Sequence, residues 1–172
     1  LRLHNARARA HEYLKNHQRA DGSWVPLWFG NEHAADEDNP VHGTAQVLVG
    51  LSHHPAGDNE MRDLRQRAVE FLIRSQNEDG GWGGVRGAPS NIEETANATN
   101  ALASSGACRE VIARGVAWLV EQTKGGTTFS PAPIGLYFAR LWYHEKMYPV
   151  IWTLGALQQA QSALAKDSSD SA

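Results

Sequence analysis

Gln76-Asn77-Glu78-Asp79-Gly80-Gly81-Trp82 ends an apolar helical run and reaches an indole through an Asp-Gly turn. The same arrangement occurs earlier, where Gln18 leads through Asp21-Gly22-Ser23 to Trp24. A degenerate third copy runs from Thr123 through Gly125-Gly126 to Phe129. Counting back strengthens the match. Ala68, Phe71 and Leu72 precede Gln76 as Ala10, Tyr13 and Leu14 precede Gln18, and as Gly115, Trp118 and Leu119 precede Thr123. A small residue, an aromatic, a leucine and a terminal aromatic at fixed offsets, met three times, define a repeat protein.

Outward from these loops the apolar spacing predicts helices. Outer helices fall over 3–17, 60–75 and 108–123, and inner helices open near Pro40, Ile92 and Pro149. The inner helices share a threonine landmark at Thr44, Thr95 and Thr153, roughly 50 to 60 residues apart. Ser90 with Glu93 has the spacing of a capping box. Residues 135–144 read as a further aromatic helix, and no window alternates strongly enough to predict a sheet. The expectation is an all-α chain of about three helical hairpins over 1–165, with repeats near 3–54, 60–105 and 108–164. The Ser/Asp/Ala-rich stretch 166–172 is expected to be a disordered tail.

The loop has a local physical logic. A glutamine at a helix end can bond backbone groups left open there. An indole packed against the neighbouring repeat buries a large apolar area. Asp-Gly supplies the turn. Gln18, Trp24, Gln76, Trp82 and Phe129 are therefore read as structural fasteners between repeats, with no chemistry of their own.

Composition narrows the function classes. At 172 residues, 41% hydrophobic and 20% charged, the chain can bury a core. A net charge of −3 without a basic run gives no footprint for nucleic acid. One cysteine, Cys108, excludes an internal disulfide and a multi-cysteine zinc site. No apolar run approaches the ~20 residues of a spanning helix. The eight histidines are scattered, and His53 and His54 are adjacent and share no helical face. No metal and no cofactor is expected.

The Gln-to-Trp units resemble the QW motifs of squalene–hopene and oxidosqualene cyclases. The first unit is the closer match. Asp21-Gly22-Ser23-Trp24, Trp28 and Asn39-Pro40-Val41-His42-Gly43-Thr44 follow the family's order, with Val41 replacing an isoleucine and His42 a tyrosine. Tyr137-Phe138 through Met147-Tyr148-Pro149 resembles a stretch near the cyclase C-terminus. The resemblance covers nearly the whole chain and corresponds to the last part of a cyclase.

That resemblance implies an α/α-barrel segment. A barrel of six hairpins makes three about half a ring. It implies a parent isomerase that folds squalene or a related polyprenoid and cyclises it by protonation and a carbocation cascade. This chain would supply part of the cavity wall and be inactive alone, because the family's acid, in a D-x-D-D motif, lies upstream of the matched region. The implied partners are the polyprenoid and either the missing N-terminal half of the barrel or a homodimer mate. The implied location is the cytoplasm, with peripheral contact to the inner membrane. The related protein prenyltransferase β subunits bind zinc through Asp, Cys and His, but Cys108 follows an inner helix instead of opening one, so that site does not transfer.

Four carboxylates are candidates for the acid: Asp36, Asp38, Glu93 and Glu94. Asp36-Glu37-Asp38-Asn39 reads D-x-D-N but lies out of register, as an acidic surface loop would. Glu93-Glu94 opens an inner helix, where capping and the helix dipole already account for carboxylates. The cavity candidates are Trp28, His42, Tyr137, Leu141 and His144, at positions where the family places active-site aromatics. Leu141 and His144 stand in place of tyrosines. Ordinary core packing also explains the aromatics of this region, and hydrogen-bonded interior histidines explain His42 and His144. The alternative reading is a non-catalytic helical-repeat module that binds a lipid or a protein partner.

Overall fold

The computed structural model describes residues 2–52, 59–136 and 141–169. Its elements are α1 (Arg2–His17), α2 (Pro40–Ser52), α3 (Asn59–Arg74), α4 (Ile92–Ser104), α5 (Arg109–Gln122), β1 (Pro133–Leu136), β2 (Leu141–His144) and α6 (Tyr148–Ser169). The chain is mostly helical and has the α/α-barrel type of arrangement. The inner helices α2, α4 and α6 pack side by side with α4 central; α3 packs against α2 and α5 against α4 and α6. The last helix continues past Leu164, where the sequence pattern ended it, to Ser169; residues 170–172 of the expected tail lie outside the described residues.

The central helix shows why this order is stable. Every residue from Ile92 to Thr99 is buried, as are Ala101, Leu102 and Ala103. Alanines at 96, 98, 101 and 103 let neighbouring helices approach on both sides. The main core joins Trp24, Leu48, Leu64, Leu72, Trp82 and Leu102, and a second cluster joins Ile92, Ala96, Trp118, Leu119 and Ala156 with Trp152 against it.

The fastening loops repeat atom for atom. Gln18 Nε2 donates to Gly22 O at 2.9 Å and Leu64 O at 2.9 Å. Gln76 Nε2 donates to Gly80 O at 2.9 Å and Val111 O at 3.0 Å. Each glutamine thus closes its own turn and ties it to the next outer helix. Trp24 Nε1 donates to Leu14 O and Trp82 Nε1 to Leu72 O, while their backbone N–H groups donate to Thr44 Oγ1 and Thr95 Oγ1. Thr44 and Thr95 are the acceptors that hold α2 and α4 to their loops. In Gly22, at φ 90°, a Cβ would lie 2.4 Å from Arg67 O, so the turn can press against α3 only as glycine. The third copy lacks this device: Thr123 bonds within its own helix end at Leu119 O, Phe129 is half-exposed, and buried Thr153 Oγ1 has no partner.

Two expectations are corrected. The described residues of the 135–144 stretch do not form a helix: β1 and β2 pair antiparallel, Pro133 with His144 and Gly135 with Trp142. Gly135 lacks the side chain that would meet the Trp142 ring at 2.3 Å, and aromatic residues suit a pleated pair. A bridge from Gly30 N to Gly135 O, 2.8 Å, joins this hairpin to the first loop. The α4 cap is not the Ser90–Glu93 box. Asn91 caps the helix, its Oδ1 accepting from Glu94 N at 2.9 Å, and this frees the Glu93 side chain.

Candidate functional site

The loop ends of the three inner helices converge. Asn39 caps α2, its Oδ1 accepting from His42 N at 3.1 Å, and Pro40 fits the first helical position because it has no N–H to satisfy. The other end of the Asn39 amide crosses to α4, where Nδ2 donates to Glu94 Oε1 at 2.6 Å. Further along, Gln46 Nε2 donates to Asn97 Oδ1 at 2.9 Å, and Asn97 Nδ2 lies 3.4 Å from His42 Nδ1. A polar seam, buried at Asn39, His42, Glu94 and Asn97 and exposed at Gln46, therefore joins α2 to α4.

Rings from the first loop, α2 and α6 close over that seam. Phe29 stacks on His42 with centroids 4.3 Å apart, and Trp152 stands 5.5 Å from His42 and 6.4 Å from Phe29. Tyr148 stacks on Trp152 at 4.5 Å. The cluster presents π-faces, which attract positive charge, around an imidazole that is itself uncharged. Burial holds His42 down at about 4 from its ordinary 6.5.

Two carboxyls stand in the first turn of α4. Glu93 is 1% exposed; its Oε1 accepts from Ala132 N at 2.8 Å and its Oε2 has no partner. Burial pushes its pKa up to about 7, opposed by the Ala132 N–H and reinforced by the neighbouring Glu94 charge. Glu94 is also raised by burial, with the Asn39 amide working against the rise, and its Oε2 is likewise unpartnered. The α4 N-terminus favours the ionised forms, yet desolvation wins.

The other sequence candidates are elsewhere. Asp36 is exposed, and Asp38 forms a 2.7 Å ion pair with Arg19. Trp28 is 58% and Leu141 57% exposed, and His144 is also exposed, so of the four cavity candidates among the described residues only His42 is buried. Tyr137 lies outside the described residues. Phe29, Tyr148, Trp152, Asn39 and Asn97 were missed. Their signal was register: Trp152 directly precedes the Thr153 landmark, and Asn97 and Gln46 each follow theirs by the same step. Among the described residues no group of three or more His, Cys, Asp or Glu could hold a metal ion, and no helix is long and apolar enough to cross a membrane.

Comparison with known proteins places the pattern. Residues 2–162 match the squalene-hopene cyclase C-terminal domain model. A probable squalene–hopene cyclase of Sinorhizobium fredii is 30% identical over 168 residues, 87% of this chain and 24% of that protein. A drimenyl diphosphate synthase of Streptomyces showdoensis is 33% identical over 112 residues, 64% of this chain and 20% of that protein. The solved ent-copalyl diphosphate synthase from Streptomyces platensis shares the fold, with a TM-score of 0.56 at 23% identity over 89% of this chain and 27% of that one. The chain thus spans about a quarter of the length of such relatives.

Proposed function

This chain belongs to the squalene–hopene cyclase C-terminal domain family, and we propose that it forms one wall of the cavity in which a terpene cyclase-like protein folds squalene or a related polyprenoid. The observation behind this reading is the cluster of Phe29, His42, Tyr148 and Trp152 at the convergent ends of the inner helices. Polyene cyclisation needs a dry surface that shapes the chain and π-faces beside the developing cations. An uncharged His42 contributes a face there without adding a positive charge. The 172 residues contain no D-x-D-D, so the proton that starts the cascade comes from another segment, and this chain alone is inactive.

The repeat also calls for a neighbour. Tyr13 is 53% exposed where its counterparts Phe71 and Trp118 are 9% and 8%; Leu154 is 61% exposed where Ala96 is 0%. Both flanks of the three-hairpin array therefore present positions that the central repeat buries at Phe71 and Ala96. Further hairpins of the barrel, or a second copy of this chain, would cover them.

The exposed positions of Trp28, Leu141 and His144 favour a second reading, a repeat module that binds a lipid or protein on its outer surface. Photo-crosslinking with a diazirine-bearing polyprenoid separates the two. Labels on the Phe29 and Trp152 peptides support the cavity wall. Labels confined to the Leu141–His144 strand support the module.

A further inference from the structure

We propose that Glu93 is the proton acceptor of this cavity wall, the carboxylate that takes a proton from a cyclised cation and so fixes where the product's double bond forms. The inference rests on the cavity-wall reading. Counted from the landmark threonines, His42, Glu93 and Ile151 share one position on α2, α4 and α6, two residues before Thr44, Thr95 and Thr153. Gln46 and Asn97 share the position two residues after. Their 2.9 Å hydrogen bond shows that equivalent positions of α2 and α4 meet at one level.

Asn97 lies one turn beyond Glu93 on the same face of α4, and its amide reaches the His42 ring. Trp152 approaches that ring from α6, on the other side of α4. The two rings therefore meet across the face that carries Glu93. On that face is a carboxyl with one oxygen anchored by the Ala132 N–H and the other buried and unpartnered. An anchored carboxyl with a free oxygen is held in orientation and can still form a new O–H bond.

In the step, the C–H bond next to the cationic carbon breaks. Its electron pair becomes the C=C π bond, and the proton binds Glu93 Oε2, so cation and carboxylate are neutralised together. Burial raises the basicity of this carboxylate to the neutral range, which suits a base; a carboxyl of that strength is too weak an acid to protonate an alkene. The titratable group that acts on it is Glu94, beside it on α4. The third loop brings the Ala132 amide.

The test compares two probes on the full chain: the quaternary amine N,N,N-trimethylfarnesylammonium, which keeps its positive charge at every pH, and farnesol, which is neutral. The wild-type ratio of amine to alcohol affinity should rise by about tenfold between about pH 5.5 and about pH 8.5 as an opposite charge appears beside the ammonium. Glu93→Gln should hold that ratio within about twofold, while Glu94→Gln should keep the rise. A wild-type ratio that does not change with pH overturns the assignment alone, as does a rise that Glu93→Gln retains. Failure of both probes to bind the wild type overturns the cavity-wall reading and the assignment with it.

Discussion

Gln76 Nε2 donates to the Val111 carbonyl at 3.0 Å, across the joint between the second and third outer helices. The same atom caps its own turn at Gly80 O. One side-chain amide thus satisfies two carbonyls that the fold leaves partly buried. Glutamine is suited to this place because its NH₂ carries two donors.

Gln76→Ala should destabilise the chain by about 1–3 kcal/mol, the range for leaving buried polar groups unpaired. Denaturant unfolding measures it. The Gln18→Ala loss should be similar, since Gln18 bonds Gly22 O and Leu64 O in the same way. No change in either variant would contradict the fastening role.

Glu93 should tilt stability against high pH. Its folded pKa of about 7 lies above the ordinary 4.5, so between those values the folded chain binds more protons and stability falls as pH rises. Below about pH 4.5 the group contributes nothing; above about pH 7 the whole penalty, at most about 3 kcal/mol, is present. Glu93→Gln should gain on the wild type over this window in unfolding titrations. Buried Glu94, also raised, acts in the same direction.

His42 has the opposite sign. Its pKa is lowered from 6.5 to about 4, so the unfolded chain gains a proton first as pH falls, and stability is lost from about pH 6.5 towards about pH 4. His42→Gln should remove that acid-side loss. Unfolding curves at stepped pH check it, and an unchanged acid limb would contradict the buried neutral imidazole.

The open flanks should make the isolated chain self-associate. Light scattering should give a mass that rises with concentration, and Leu154→Glu, which charges one exposed flank, should return it to the monomer. A wild-type monomer at every concentration would contradict the half-ring account.

Much of this architecture was legible because the repeat wrote it three times. Gln18 with Trp24 and Gln76 with Trp82, at one shared offset, announced the outer helix and the turn, and Thr44, Thr95 and Thr153 marked the inner helices. The β1–β2 hairpin was hidden because Leu141-Trp142-Tyr143-His144 is apolar and aromatic without clear alternation, and the Gly30 bridge that supports it comes from a loop more than a hundred residues away. The cap was misplaced by one residue: both Ser90 and Asn91 are good capping residues, and only the backbone decided between them. The candidate site was half legible. His42 stood out as a histidine in place of a tyrosine, whereas Phe29, Tyr148 and Trp152 are ordinary aromatics until the first loop, α2 and α6 bring them together. Glu93 and Glu94 looked like first-turn acids, and nothing in their spacing announced that both would be buried.

The most direct test of the cavity-wall account is equilibrium binding of radiolabelled squalene, dispersed in detergent, to the wild-type chain and to Trp152→Ala. Saturable binding weakened by about tenfold or more in the variant is predicted, since truncating a central indole removes about 1.4 kcal/mol or more. Binding that does not saturate, or that Trp152→Ala leaves unchanged, would contradict it.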